Sequence, residues 1–269
     1  MKNNISIIGV GNLTQSLLKT LVSNNFQGKI FVYDIDKKKR KFALQNKIFF
    51  KSNIYELLKF SNLVLIAVKP NDYKKVCFDL QDSLKPDTVI MSLMAGIKTD
   101  LISTNCHNKK LAITRIMTNI NGRFKHATTF TFFNKYVKSS QRKKINSFWK
   151  NFGSVNNLRS EIEIEKVTAL VGSGPAYFIE FAQSLIKVFR KFGFSEKISQ
   201  IYVNELFFGT AYLCKNDSRS LENIKNTIIS KGGTTEAALK SLKKNKFQQI
   251  LERSIVEAFR KAKNISRTA

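Results

Sequence analysis

Cysteine and histidine are scarce in this 269-residue chain, which has three cysteines and two histidines. The cysteines (Cys77, Cys106 and Cys214) form no CxxC pair, which argues against a zinc ribbon, a thioredoxin-type site or a disulfide framework. The histidines, His107 and His126, lie in no recognisable motif, so a Ser-His-Asp hydrolase has little support. We therefore predict no metal site.

Long uninterrupted apolar runs are also missing. The first apolar segment ends at Gly11 and is too short for the core of a secretory signal. The most membrane-like stretch, residues 168–186, contains Gly172, Gly174 and Glu180, which are unfavourable in lipid. We predict that this stretch is a buried helix, that the chain has no membrane span and that the protein is cytoplasmic.

Acidic residues are outnumbered, since 46 Lys and Arg stand against 19 Asp and Glu and give a net charge of +27. Such an excess attracts polyanions. The lysines are spread along the whole chain with one local cluster at 37–41, and Asn, Ile and Phe, which like Lys have AT-rich codons, are also abundant. A bias toward AT-rich codons would by itself give such a charge, which is either functional or compositional, and we do not expect nucleic-acid binding as the primary function.

Strand and helix patterns alternate in the first half of the chain. The predicted strands span residues 5–10, 29–33, 63–68, 88–93, 111–116, 128–133 and 154–158. Helices are predicted at 12–22, in the basic segment after the second strand, between the later strands and at 137–152. Because parallel strands need crossover connections, this alternation is typical of a doubly wound α/β domain of the Rossmann type.

The second half has helical patterns only. These helices are predicted at residues 173–192, 195–214, 220–229, 235–242 and 247–262. Because so few residues cannot enclose the apolar surface of these helices, the pattern favours a helical dimer interface. We therefore predict a Rossmann domain at residues 1–158 and an all-α dimerisation and substrate domain at 159–269.

Two glycines separate the first predicted strand from the first predicted helix. Gly9 permits a tight turn, and Gly11 lets the backbone approach a pyrophosphate that the N–H groups of the helix N-terminus can bind. Thr14 occupies the third glycine position, and such a match alone also suits an ordinary turn. The strand before it and the helix after it favour dinucleotide binding.

Asp34 ends the second predicted strand, 25 residues after Gly9, where an acidic side chain can bond to the adenosine ribose of NAD. The basic run 37–41 begins three residues later. This run either neutralises the 2′-phosphate of NADP or forms a solvated helix face. The residues themselves leave the choice of dinucleotide open.

Three more loops follow predicted strands at the carboxyl edge of the sheet, where open α/β sheets bind ligands. These loops are Ala67-Val68-Lys69-Pro70, Ser92-Leu93-Met94-Ala95-Gly96 and Met117-Thr118-Asn119. Each is also typical of an ordinary connection between a strand and a helix.

In the helical half, residues 230–236 read Ser-Lys-Gly-Gly-Thr-Thr-Glu. Hydroxyls, two glycines and a helix start make a nest of N–H donors suited to a carboxylate. The structural alternative is a helix capped by Thr234 or Thr235, and both interpretations can hold together. Another glycine segment, 172–176, opens a helix, and close packing of glycine backbone would also explain it.

Together these motifs resemble pyrroline-5-carboxylate reductase over essentially the full chain. The resemblance depends on Gly9–Asn12, Ala67–Pro70, Ala95-Gly96, Met117–Asn119, Val167–Leu170, Gly172–Tyr177, Ser230 with Gly232–Thr235, and Ala237–Leu239. It implies NADPH-dependent or NADH-dependent reduction of 1-pyrroline-5-carboxylate to L-proline, the last step of proline biosynthesis, by a homodimer or a higher oligomer built from dimers. The alternatives are a related Rossmann oxidoreductase of another small imine or carbonyl acid, and a polyanion-binding protein on an inactive reductase scaffold.

The resemblance also assigns residues. Ser230, Gly232, Gly233 and Thr234 would bind the substrate carboxylate, and Thr235 would be the catalytic hydrogen-bond partner of the ring nitrogen. The cofactor would contact Ile8, Gly9, Val10, Gly11, Asn12, Leu13, Asp34, Ala67, Val68, Lys69, Pro70, Leu93, Met94, Ala95 and Asn119.

The chain departs from the family pattern at three places. Lys231 and Asn121 stand where the family usually has prolines. The family often has an acidic residue before the last motif, and the corresponding position here is near Ser218. Lys231 would loosen its loop but would add a cation beside the anion site.

Overall fold

The structure is a computed structural model that describes residues 4–268. Its contacts divide the chain into two compact units, Met1–Ser173 with Ala258–Ala269, and Gly174–Glu257. The predicted α/β fold with a helical second region is confirmed. The predicted domain boundary between residues 158 and 159 stays a prediction.

The first unit contains an eight-stranded sheet in the order β3-β2-β1-β4-β5-β6-β7-β8. The strands are β1 Ile5–Ile8, β2 Ile30–Tyr33, β3 Phe49–Phe50, β4 Leu63–Ile66, β5 Val89–Ser92, β6 Ala112–Met117, β7 Ala127–Phe133 and β8 Gly153–Asn157. Strands β1 to β6 run parallel, β7 is antiparallel to β6, and β8 is parallel to β7. The strand order reverses between β1 and β4, and this switch point is where such sheets bind ligands.

The apolar runs form the central strands because a parallel sheet is covered on both faces. Neighbouring side chains alternate between two apolar clusters, with Ile7 and Leu65 in one and Ile8, Val64 and Ile66 in the other. All five are at most 2% exposed. The two layers of helix that cover the sheet therefore pack on opposite sides of these strands.

The described helices follow the predicted order. They are α1 Asn12–Ser23, α2 Lys39–Gln45, α3 Ile54–Leu58, α4 Tyr73–Gln81, α5 Thr99–Asn105, α6 Ser139–Lys150, α7 Glu163–Val167, α8 Gly174–Lys191, α9 Glu196–Asn216, α10 Leu221–Ile228, α11 Thr234–Lys244 and α12 Phe247–Thr268. Short 3-10 helices lie at Pro70–Asp72 and Ile120–Phe124, and a π-helical turn lies at Thr168–Gly172.

Most predicted strands and helices agree with the structure to within two residues at each end, and α12 continues further than predicted. The predictions missed β3, α3 and α7. These elements have two, five and five residues, which is too short to show a periodicity.

The prediction of one buried helix at residues 168–186 is wrong. A π-helical turn precedes α8, and α8 exposes much of its apolar surface in the single chain. Phe178 is 69% exposed and Ile179 is 57% exposed. The error arose because apolar composition indicates that a helix has an apolar surface to bury. It does not indicate whether that surface is buried by the same chain or by another one. Among the helices of residues 4–268, none has the length and apolar character needed to cross a membrane.

Candidate active site

The first glycine turn lies at the switch point of the sheet. Gly9 has φ +97°, and a Cβ there would lie 2.6 Å from the carbonyl oxygen of Ala67. The Gly9 N–H donates to the Tyr33 carbonyl over 2.9 Å, and the Ala67 N–H donates to the Ile8 carbonyl over 2.8 Å. The tight turn predicted at Gly9 is therefore present, and it joins the ends of β1, β2 and β4.

Gly11 leaves the start of α1 open. It is the N-terminal cap residue of the helix and makes no side-chain capping bond, and the first turn has no acidic residue. A Cβ at Gly11 would meet none of the described residues within 4 Å. The positive end of the helix dipole and an accessible backbone suit a phosphate group, so the residues present fit a dinucleotide. Thr14, in the third glycine position, is buried.

The half-buried Asp34 side chain fixes the glycine turn through its carboxylate. One carboxylate oxygen accepts from the Val10 N–H at 2.6 Å, and the other accepts from the Asp36 N–H at 2.8 Å. Each oxygen has a second lone pair, so the predicted ribose bond would be additional to these two. The sequence suggested only the ribose role and gave no sign of the bond to Val10.

We expect Asp34→Ala to weaken NADPH and NADH binding by similar factors, on the order of tenfold, because the Val10 N–H loses its partner and the turn loosens. Titration of protein-bound nicotinamide fluorescence gives both dissociation constants. Asp36→Ala is the matched control, because its carboxylate accepts from the exposed Lys38 N–H at 3.0 Å. A loss confined to NADH would make a ribose contact the main role of Asp34.

The basic run after β2 is exposed near the carboxyl edge of the sheet. Lys37, Lys38, Arg40 and Lys41 are exposed. The Lys37 ammonium donates to the Ser52 carbonyl at 3.2 Å. These cations follow Asp34 closely in the sequence. A ribose that Asp34 binds would therefore have positive charge available nearby for a 2′-phosphate.

The other predicted loops follow β4, β5 and β6, which are adjacent in the sheet. Lys69 is exposed and extended before Pro70. The Leu93 N–H donates to the Ile66 carbonyl at 2.9 Å. The sheet thus aligns the Gly9 turn and these loops along one edge.

Several predicted cofactor residues face the interior. Ile8, Val10 and Met94 are at most 2% exposed, so their backbone atoms are the groups that can contact a ligand at the surface. Asn119 is also buried, and its side chain binds the Val171 carbonyl at 3.2 Å and the Asn121 N–H at 3.2 Å. The remaining predicted residues of this edge are half-buried or exposed: Gly11, Asn12, Leu13, Asp34, Ala67, Val68, Lys69, Pro70, Leu93 and Ala95.

Among the cavities lined by described residues of the first unit, one adjoins the predicted cofactor residues and one does not. One of about 330 Å³ borders α1 and is lined partly by Asn12, Lys19 and Arg123, so it adjoins the glycine turn. The other, about 870 Å³, is lined by Asn4, which precedes β1, and by Val89, the first residue of β5. It therefore lies at the amino edge of the sheet, away from the predicted cofactor residues.

The predicted carboxylate loop immediately precedes α11. Gly232 has φ +76°, and the Gly233 N–H donates to the Ser230 carbonyl at 3.0 Å. A Cβ at Gly233 would collide with the Ser230 hydroxyl. The left-handed backbone therefore favours glycine at position 232, whereas a side chain at position 233 would require the Ser230 hydroxyl to rotate away. Capping by Thr234 or Thr235 is wrong, because Gly233 is the cap residue and no side chain caps the helix.

The start of α11 presents donors suited to an anion. Within residues 4–268, the backbone N–H groups of Thr234 and Thr235 have no hydrogen-bond acceptor. Ser230, Lys231 and Thr234 are exposed, and Thr235 is half-buried. The loop therefore combines two backbone donors, hydroxyl groups and a cation, which is the set a carboxylate needs.

Glu236 was not among the predicted site residues, yet it fastens the loop. Its Oε2 accepts from the Gly232 N–H at 2.7 Å, and its Oε1 pairs with the Lys240 ammonium at 2.8 Å. These bonds, first with Lys240 and then with Gly232, lower the pKa of Glu236 below its ordinary value. The signal was an acidic residue three positions after the cap, as in a capping box.

We expect Glu236→Ala to raise the KM for the imine acid several-fold with little effect on NADPH binding, because the Gly232 N–H loses its acceptor. Steady-state kinetics at saturating NADPH measures this. Because the pKa of Glu236 is lowered, its carboxylate stays ionised and keeps the bond to the Gly232 N–H at any pH above that lowered pKa. The bond is lost as the pH falls through the lowered pKa. Glu222→Ala, in the first turn of α10, is the control. If Glu222→Ala raised the KM as much as Glu236→Ala does, Glu236 would have no specific role in fixing the loop before α11.

Comparison with known proteins covers both halves of the chain. Residues 161–265 match the family model for pyrroline-5-carboxylate reductase dimerisation, and residues 4–96 match that for coenzyme F420-dependent NADP oxidoreductase. A pyrroline-5-carboxylate reductase of Staphylococcus aureus is 28% identical over 250 residues, covering 91% of each chain.

Solved structures agree over the same length. A pyrroline-5-carboxylate reductase from Coxiella burnetii has a TM-score of 0.89 at 27% identity and 98% coverage of both chains. The Plasmodium falciparum pyrroline carboxylate reductase with NADP bound has a TM-score of 0.88 at 24% identity, also with 98% coverage of both, and shares the fold. The fold and the glycine turn define a Rossmann-type protein, and the two family models make it an NADP-dependent oxidoreductase with a helical dimerisation region. Within that class, the helical half matches the pyrroline-5-carboxylate reductase dimerisation model, and the whole chain is similar to pyrroline-5-carboxylate reductases.

Proposed function

We propose that this chain reduces 1-pyrroline-5-carboxylate to L-proline with NADPH, the last step of proline biosynthesis. The observation that carries the proposal is the likeness along the whole chain, with 91% of the Staphylococcus aureus reductase and 98% of the Coxiella burnetii reductase covered. A nucleotide-binding half alone would support only the cofactor class. Because the helical half matches as well, the likeness supports the substrate class too.

The first unit would hold the cofactor. The Gly9 turn and the open N-terminus at Gly11 fit a pyrophosphate, and the exposed cations Lys37, Lys38, Arg40 and Lys41 favour NADPH over NADH. When bound, NADPH supplies the hydride for the reduction. The protein residues assigned to hold it are the Gly9–Leu13 turn, Asp34, and the loops at Ala67–Pro70, Leu93–Ala95 and Asn119.

The residues of the loop before α11 would hold the substrate. The N–H groups of Thr234 and Thr235, with the Ser230 hydroxyl, would bind the carboxylate, and Lys231 would add an attractive charge. The Thr235 hydroxyl would bond to the ring nitrogen. An imine that arrives protonated needs no strong acid, so the role of this hydroxyl is to orient the ring. A chain with two histidines can perform such chemistry.

A substrate panel tests the reaction. The initial rate of NADPH oxidation is measured with 1-pyrroline-5-carboxylate and with other small imine and carbonyl acids, each over a range of concentrations. We expect kcat/KM to be highest for 1-pyrroline-5-carboxylate, and NADPH to serve better than NADH. A higher kcat/KM for another acid would favour the alternative of a related Rossmann oxidoreductase.

The net charge of +27 supports a second candidate, a polyanion-binding protein on an inactive scaffold. Salt-sensitive binding to DNA with no affinity for NADPH would favour this candidate. Tight NADPH binding without retention on DNA at moderate salt would dismiss it. We favour the reductase, because the glycine turn and the turn that precedes α11 both have the backbone geometry that the proposed contacts need.

The dimerisation match supports an oligomer, and we propose a homodimer or a higher assembly of dimers in the cytoplasm. Exposed apolar side chains on α8 and α9, such as Phe178 and Phe208 at 69% and 71% exposure, supply a surface to bury. Sedimentation equilibrium should give a multiple of twice the 30.7 kDa chain mass. A monomer at micromolar concentration would exclude this assembly.

A further inference from the structure

Arg115 is a charged side chain buried within the first unit, in strand β6. It is 1% exposed, and its Nη1 donates to Glu165 Oε1 at 2.9 Å and to Glu161 Oε1 at 3.4 Å. Glu165 belongs to α7 and is 5% exposed. The Glu161 carboxylate also accepts from the Thr99 N–H at 2.7 Å and from the Thr99 hydroxyl at 3.1 Å. One guanidinium thus links β6, α7 and the start of α5.

Stability alone does not account for this cluster. Replacing a buried ion pair by apolar side chains of similar volume is often neutral or stabilising, because burial removes two charges from water. Here, Arg115 Nη2 and Glu165 Oε2 are buried without a hydrogen-bond partner in the described part of the chain. A costly and incompletely satisfied ion pair points to a geometric role.

The cluster holds α7 and the turn that follows it against the carboxyl end of β6. Helix α7 continues into the π-helical turn Thr168–Gly172. A Cβ at Gly172 would lie 2.8 Å from the sulfur of Met117, and the Val171 carbonyl accepts from the Asn119 side chain at 3.2 Å. The segment is therefore fastened to β6 by Arg115 and to the following loop by Asn119.

We propose that Arg115 is a positioning residue for cofactor binding. With Glu165 and Glu161 it fixes α7 and the π-helical turn on β6, and the Val171 carbonyl then fixes the Asn119 side chain. Because the Asn119 side chain also accepts from the Asn121 N–H at 3.2 Å, the conformation of the loop after β6 depends on this link. The inference rests on the proposed function, which assigns Asn119 to the cofactor edge.

The first test compares conservative variants by direct binding. Arg115→Lys keeps the charge but replaces the guanidinium, whose Nη1 donates to both carboxylates, by an ammonium on a shorter side chain. Glu165→Gln removes one charge at constant size. We expect each to raise the NADPH dissociation constant roughly tenfold, measured by titration calorimetry well below the unfolding temperature. Lys138→Gln is the control, because it breaks an exposed pair with Asp87 of 3.0 Å and should leave binding unchanged. Wild-type affinity in both cluster variants would overturn the inference.

A second pair of measurements separates positioning from stability. The double variant Arg115→Met/Glu165→Met removes the two buried charges and leaves the partly exposed Glu161 carboxylate with its bonds to Thr99. We therefore expect a thermal midpoint near that of the wild type but the same weakened NADPH binding. Wild-type affinity in this variant would show that the ion pair has no geometric role. If Arg115 acts through Asn119, Arg115→Lys should add no further loss in an Asn119→Ala background, whereas additive losses would contradict the route.

These outcomes distinguish the inference from the proposed function. If the wild-type protein binds NADPH and reduces the pyrroline acid while the cluster variants bind NADPH normally, only the positioning role is wrong. If the wild-type protein binds no NADPH, the proposed function itself is wrong and the positioning role is wrong with it.

Discussion

Gly9→Ala should lower the affinity for NADPH on the order of 100-fold or more. A Cβ at this position would lie 2.6 Å from the Ala67 carbonyl oxygen, so β1 and β4 must move apart at the edge where we propose that the phosphates bind. The left-handed backbone at φ +97° adds strain for any residue with a Cβ. Titration of nicotinamide fluorescence gives the dissociation constant, and circular dichroism shows whether the variant is folded.

Gly193→Ala is the matched control for that experiment. Gly193 has φ +93°, close to that of Gly9, but none of the described residues lies within 4 Å of the added Cβ. It should therefore lower the thermal midpoint and leave the NADPH dissociation constant unchanged. If folded Gly9→Ala bound NADPH as tightly as Gly193→Ala does, the glycine turn would not be the phosphate site.

Thr235→Ala should lower kcat roughly 100-fold with 1-pyrroline-5-carboxylate, while the dissociation constant for NADPH stays the same. The half-buried Thr235 lies in the first turn of α11, and its hydroxyl is the proposed partner of the ring nitrogen. Without it, the bound ring loses the contact that orients the reacting carbon. Steady-state kinetics and direct cofactor titration measure the two effects separately.

Two neighbouring substitutions sharpen this test. Thr235→Ser keeps a hydroxyl and should recover most of kcat. Thr234→Ala removes an exposed hydroxyl from the same helix start and should affect KM more than kcat, because its proposed contact is the carboxylate. An unchanged kcat in Thr235→Ala would remove Thr235 from the chemistry.

Local patterns allowed much of the fold to be predicted. Strand β4 is a continuous apolar run, and β1 is apolar except at Ser6, because both faces of the sheet are covered. The glycine turn was predictable because Gly9 and Gly11 lie between a strand and a helix, and the loop before α11 because its two glycines precede a helical pattern. In each case the deciding residues are neighbours in sequence.

Other features depend on residues that meet only in the folded chain. Val10 and Asp34 are 24 positions apart, and Arg115 and Glu165 are 50 apart. In a chain with 46 basic residues, nothing in the sequence marks Arg115 as buried. The exposure of α8 also escaped prediction, because apolar periodicity does not show whether the covering surface belongs to the same chain.

The most direct measurement of the central claim follows product and cofactor together. The wild-type protein is incubated with 1-pyrroline-5-carboxylate and NADPH, and L-proline is quantified by chiral chromatography alongside the NADPH consumed. We predict equal amounts of L-proline formed and NADPH oxidised, with no proline when either reactant is omitted. A folded protein that binds NADPH but forms no proline from this substrate would contradict the account.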